Sequence, residues 1–192
     1  MLTSVSPRPA VVGTLVWLAL AIALGATGVL GTMRFGPQVA ALTLTVVAVL
    51  VSSRVEAVRA SVDALPLQVL VGMHAVRFVG IAFLVLSARG ELSPLFAERA
   101  GWGDIAAATI AVVLCVIGLK RIPRPVLAAW NVLGTLDLLV AVGTAMFVVV
   151  RGDVPGMQPL LGLPLVLVPI FAVPVLFASH VALFRRLRGS AA

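Results

Sequence analysis

The sequence predicts an all-α fold, a polytopic transmembrane helical bundle of six spans, with residues 1–192 forming a single domain. Three observations carry that prediction. The 192 residues are 61% hydrophobic and 11% charged, against about a quarter charged in ordinary soluble domains. Mean hydropathy is +1.19. Apolar stretches approaching the ~20 residues that cross a bilayer recur along the chain, separated by breaks rich in Pro, Gly or charge, so no length remains for a separate soluble domain.

The first span is placed at residues 11–32. Its apolar run exceeds the ~7–15 residues of a signal-peptide core, and further spans follow it, so it is read as a retained helix. The second, 38–53, is short, but "SRVEAVRASVDAL" continues it as an amphipathic helix with Val55, Val58 and Val62 on one face, Arg59 four residues before Asp63, and Pro66 as its end. The third span is 67–87. After it, "ARGELSPLFAERAGWGD" reads as a short interfacial helix at 94–99, started by Ser93 and Pro94 and stopped by Gly101 to Gly103, serving as an anchor or as a lid. Asp104 would then cap the fourth span, 104–120, with Trp102 at the interface. The fifth span is 126–150. The sixth, 164–184, contains Pro169 and Pro174, which free backbone carbonyls and should bend the helix beside His180.

Orientation follows from where Lys and Arg fall, because cytoplasmic loops retain them. Arg8, Arg54, Arg59, Lys120, Arg121, Arg124, Arg185, Arg186 and Arg188 share one side, whereas Arg34, Arg89, Arg99 and Arg151 are on the other. Both termini should therefore be cytoplasmic. The net charge of +7 is matched to the bilayer and its anionic headgroups as partner, not to nucleic acid, since the short loops supply no basic and aromatic surface. The single cysteine, Cys115, falls within the fourth span, so no lipidation box is present. Small residues at helix-packing intervals, Gly25, Gly28 and Gly31, Ala107 and Ala111, Ala141 and Ala145, fit internal packing and homo-oligomer formation equally well.

The polar residues inside the spans are the candidate site. Counted from the cytoplasmic ends at 1.5 Å per residue, Arg77 and Asp137 both lie about 15–17 Å deep, near the bilayer centre. Each is costly there alone, so an Arg77–Asp137 ion pair is predicted, either as a static staple or as a functional pair. Nearer the cytoplasm lie His74 at about 10 Å, Asn131 and Cys115 at about 7 Å and His180 at about 6 Å. His74 and Arg77, three residues apart, share a helix face.

Three functional readings compete. In the leading one, Arg77, His74, Asp137, Asn131 and His180 line a polar site for small-ligand binding or transport, the ligand being an anionic group, which arginine favours, or a proton. In the second, His74 and His180 are the axial ligands of a b-type haem, which needs no CxxCH box. In the third the chain is an accessory or structural subunit. A zinc site would have to recruit Cys115 and a further ligand without any spacing motif. No nucleophile elbow, P-loop, HExxH or dinucleotide fingerprint occurs, so catalysis has no positive support.

Taken together, "LVGMHAVRFVG", "ELSPLFAERAGWGDI", "WNVLGTLDLLVAVG" and "PLVLVPIFAVPVLFASH" resemble a group of small bacterial six-span integral membrane proteins that are uncharacterised. The likeness covers Leu67 to His180. It implies the six-span architecture and a bacterial cytoplasmic (inner) membrane, and it implies no activity, cofactor or catalytic residue.

Overall fold

The computed structural model describes residues 6–33 and 35–189, and among them no strand occurs. Arg34, assigned above to the less basic side, lies outside the described residues. Six helical stretches are long and apolar enough to cross a membrane: Arg8–Ala26, Gly36–Arg54, Leu67–Ala88, Pro94–Ile117, Arg124–Val150 and Val168–Gly189.

The boundaries have local causes. Helices α1 (Arg8–Ala26) and α2 (Gly36–Arg54) each carry a proline in the first turn, where the missing N–H costs nothing and the fixed φ is already helical. Past the end of α1, Gly28 turns the chain at φ 66°, in the left-handed region that glycine enters without strain. Val55 is extended, so the predicted continuation of the second span is a separate helix, α3 (Glu56–Asp63). Its Asp63 pairs with Arg185 at 2.6 Å.

The third span is built from α4 (Leu67–Gly72), a 3₁₀ segment Met73–Phe78, and α5 (Val79–Ala88). The tightened segment holds His74 and Arg77. With three residues per turn it sets them one directly above the other. Helix α6 (Pro94–Ile117) departs from expectation, being a single 24-residue helix that absorbs the predicted interfacial helix at 94–99 and all but the last three residues of the fourth span placed at 104–120. Gly101 and Gly103 do not stop it. They lie inside it as packing positions, and the stop comes at Gly118, φ 92°. Helix α7 spans Arg124–Val150. The sixth span opens with a π-helical turn at Val168–Ala172 around Pro169 and continues as α8 (Val173–Gly189), so the predicted prolines loosen the helix at its start.

The bundle has two ends. At one, the Ala10 N–H donates to Ser61 Oγ at 2.9 Å, and Arg186 Nη1 donates to the Leu65 carbonyl at 2.7 Å, which gathers the N-terminus, α3 and the tail. At the other, the Ser93 N–H donates to the Gly156 carbonyl at 2.7 Å. Each end has its own apolar core: Leu70, Val71, Leu114, Trp130 and Leu183 at the basic end, and Phe83, Phe96, Val148, Met157 and Leu160 at the opposite one. Between these cores lies the polar layer. Helix α1 stands aside from it, with 11% of its span buried against 50% for the sixth.

Candidate functional site

The site grows from one buried guanidinium. Arg77 is 1% exposed and points into the space where α5, α6 and α7 meet. Its Nε donates to Asp104 Oδ1 at 2.6 Å, its Nη1 to the Gly134 carbonyl at 3.2 Å, and its Nη2 to Asp137 Oδ2. The predicted partners, Arg77 and Asp137, are thus brought together, but a second acid joins them. The sequence suggests a helix cap at the membrane edge for Asp104, but because α6 begins at Pro94 it lies ten residues in, about 15 Å from that end. One cation between two carboxylates leaves the cluster with a formal excess of one negative charge.

Glycines on three helices make room for these groups. A methyl at Gly80 would stand 2.5 Å from the Gly101 carbonyl oxygen and 3.0 Å from Asp104 Cβ, so α5 and α6 cross almost backbone to backbone. A side chain at Gly103 would collide with the Asp137 carboxylate. At Gly134 it would meet His180 Cε1 at 2.8 Å and Arg77 Nη1 at 3.4 Å. "GWGD", which in sequence looks like a stop followed by a cap, is a pair of contact glycines followed by a buried acid.

One turn towards the basic end lies the histidine layer, with His74, His180 and Asn131 all fully buried. Ser179 Oγ donates to the Leu70 carbonyl at 3.0 Å, so its bond with His74 Nε2, 3.1 Å away, must run from the ring to the hydroxyl. Asn131 Nδ2 donates to the His180 carbonyl at 3.1 Å, which orients the amide oxygen to accept from His180 Nδ1 at 2.7 Å. The tautomers follow from this network. His74 carries its proton on Nε2 and His180 on Nδ1, and the other two ring nitrogens, His74 Nδ1 and His180 Nε2, have no partner. Trp130 closes the layer, its ring edge-on to His74 at 5.0 Å and its Nε1 donating to the Ala107 carbonyl at 3.2 Å.

The haem alternative does not fit this geometry. Two axial imidazoles on one metal, each with a bond of about 2 Å, would hold their nitrogens about 4 Å apart across a porphyrin plane and their ring centres farther still. The His74 and His180 rings pack against each other with centroids 4.3 Å apart, which leaves no slot for a macrocycle. Nor is any group of three or more His, Cys, Asp or Glu arranged to hold a metal among the described residues. Cys115 lies apart, its Sγ 3.8 Å from the Gln68 carbonyl oxygen.

Two spaces approach the polar layer. From the end opposite the basic one, a cavity of about 70 Å³ runs past Met157 and Leu160 to Arg77 and Asp104, with apolar walls that include Phe83, Phe96, Leu138 and Ala141. Gln38 also lines it, and the Gln38 Oε1 is buried without a partner. From the basic end, a wider crevice of about 420 Å³ between α1, α2 and α3 reaches Ser179. Asp104, Ser179, Trp130 and Gln38 are the participants that sequence reasoning missed. A lone polar group in an apolar stretch was a signal for Gln38 and Ser179, but each stood close enough to a predicted helix end or histidine to pass as incidental.

Residues 34–188 match the family model DUF8737, a domain of unknown function, so the match takes in the second span as well as Leu67 to His180. Every residue of the polar layer and of the cavity above it lies within the matched stretch, whereas α1 and the turn that follows it lie outside. No curated protein and no solved structure matches the chain. With four-fifths of its length accounted for by that model, the chain belongs to the DUF8737 family.

Proposed function

We propose that the protein is a small-ligand-binding or transport protein of a bacterial cytoplasmic membrane, with both termini in the cytoplasm, and that the Arg77/Asp104/Asp137 cluster carries a proton. The observation behind this reading is the sharing of one guanidinium by two carboxylates on different helices. Inside an apolar bundle an uncompensated charge is expensive, and a proton on either carboxylate removes it without moving a helix. An anion, the other ligand considered from sequence, would enter a cluster that is already negative and whose arginine has all three nitrogens engaged. The orientation rests on the clustering of basic residues at the end that holds the tail and α3. A reporter fused to the C-terminus should be active only in the cytoplasm.

Infrared difference spectra of the reconstituted protein between alkaline and acid pH test the proton. A protonated-carboxyl band should appear in the parent protein and be missing from Asp104→Asn or Asp137→Asn. If all three proteins give the same spectrum, the accessory or structural role stands instead, and the full engagement of Arg77 is then that of a static staple.

A further inference from the structure

The cavity that ends on the charge cluster has a definite chemical character. Its walls are apolar, and its polar groups are placed at the two ends. Gln38 is two residues into α2, on the side where the cavity opens, whereas Asp104 is ten residues, about 15 Å, into α6. At about 10–15 Å³ for each water-sized group, 70 Å³ admits about five to seven of them, enough for a short, slender molecule. The floor supplies an acidic acceptor, since Asp104 commits Oδ1 to Arg77 and retains Oδ2. The mouth supplies a neutral acceptor, the Gln38 Oε1, which sits in a residue only 8% exposed and receives no hydrogen bond. A buried acceptor left unpaired is costly, so the Gln38 amide is a place where a donor belongs.

We propose that this cavity binds a slender alkylammonium compound whose protonated amino group meets Asp104 and whose far end carries a second hydrogen-bond donor for Gln38. A positive head makes the cluster neutral, which a carboxylate or phosphate cannot do. The apolar middle matches Phe83, Phe96, Leu138 and Ala141, which offer a charge nothing. This proposal rests on the reading that the cluster has one excess negative charge. It adds that the amine and the proton neutralise the same charge and so exclude each other, the relation from which proton-coupled exchange is built.

The test is ligand-dependent thermal stabilisation of the purified full chain, using the five-carbon series 5-aminopentanol, pentylammonium, pentanol and pentanoate. 5-Aminopentanol should raise Tm by about 5 °C near saturation, pentylammonium by less, and the alcohol and the carboxylate not at all. Gln38→Leu should erase the difference between the two amines, and Asp104→Asn should erase the response to both. Because Asp104→Asn weakens the cluster itself, Ala141→Leu serves as a second variant. It fills the cavity from its wall and should abolish the response in a protein that still folds. Stabilisation by pentanoate equal to that by the amines, or no response to either amine, overturns the proposal. A carboxyl band in the infrared test without any amine response defeats this inference alone. An amine response without the band defeats the proton reading and leaves the binding site standing.

Discussion

The charge cluster and the histidine layer are neighbours that share the Met73–Phe78 segment and α7, yet they treat their polar atoms in opposite ways. In the cluster, every nitrogen of Arg77 has an acceptor and the surplus is charge. In the histidine layer, no charge is required and the surplus is hydrogen-bonding capacity, one unpartnered nitrogen on each ring. Ion pairs in a low-dielectric interior have to be closed by partners, because an open one costs several kcal/mol. A neutral imidazole can leave one nitrogen open at the much lower cost of an unmade hydrogen bond. Two polar groups in one apolar stretch therefore carry different demands, and substitutions should separate them.

The largest effect should come from opening the cluster. Arg77→Met leaves the buried Asp104 and the half-buried Asp137 without a cation and should cost about 3–5 kcal/mol, seen as a sharply lowered Tm or as loss of the monodisperse species. Adding Asp104→Leu and Asp137→Leu to that variant should recover much of the loss, since removing a whole buried ion set is often close to neutral. If the single variant melts like the parent, the contrast between the two layers is wrong at its root.

Next comes the glycine that both layers share. Gly134→Ala pushes a methyl against His180 Cε1, 2.8 Å away, and overpacking of this kind costs about 1–3 kcal/mol. A variant of unchanged Tm would mean that the ring moves freely, which its bond to Asn131 argues against.

Within the histidine layer, His180→Leu orphans the Asn131 amide oxygen and should lower stability by about 1–3 kcal/mol. Combining it with Asn131→Leu should cost less than the two single changes together, as a double-mutant cycle would read out. The smallest effect belongs to Ser179→Ala, which unties His74 Nε2 and the Leu70 carbonyl. Hydrogen bonds between membrane helices average about 0.6 kcal/mol, so its Tm should shift only slightly. A loss as large as that of Arg77→Met would place the histidine layer, not the ion cluster, at the structural centre.

How much of the site could be read in advance depended on helix boundaries. Arg77, Asp137, His74, Asn131 and His180 stood out because each is polar inside an apolar run and because depth counted from the cytoplasmic ends brought Arg77 and Asp137 to one level and the other three to a second layer nearer that side. Asp104 was hidden by a boundary error. Two glycines beside a tryptophan and an aspartate looked like a helix stop and a new cap, since glycine lowers helix propensity in water. In a packed membrane bundle the same glycines are favoured where backbones approach closely, and tertiary contact with α5 and α7 outweighs propensity. Ser179 and Gln38 each carry the local signal of a polar group in an apolar stretch, but the partners of Ser179, His74 and the Leu70 carbonyl, come from more than a hundred residues away, so the signal did not say what either group does. The interfacial helix at 94–99 failed for the same reason as Asp104.

The sequence by itself determined the class of the molecule. A chain this apolar has to satisfy its backbone hydrogen bonds within its own segments, and helices of spanning length are how a chain of short apolar runs does so. It also determined that Arg77 needs an acid, because an isolated charge at that depth is too costly and Asp137 lies at the same level. Only the tertiary structure decided how many acids answer that need, that the two histidines pack against each other too closely to hold a haem between them, and that an apolar cavity leads to the cluster. Those outcomes depend on distances between helices, and such distances are set by glycine contacts, by the tightened turn at Met73–Phe78 and by the loosened one at Val168–Ala172, none of which the periodicity of a single segment records.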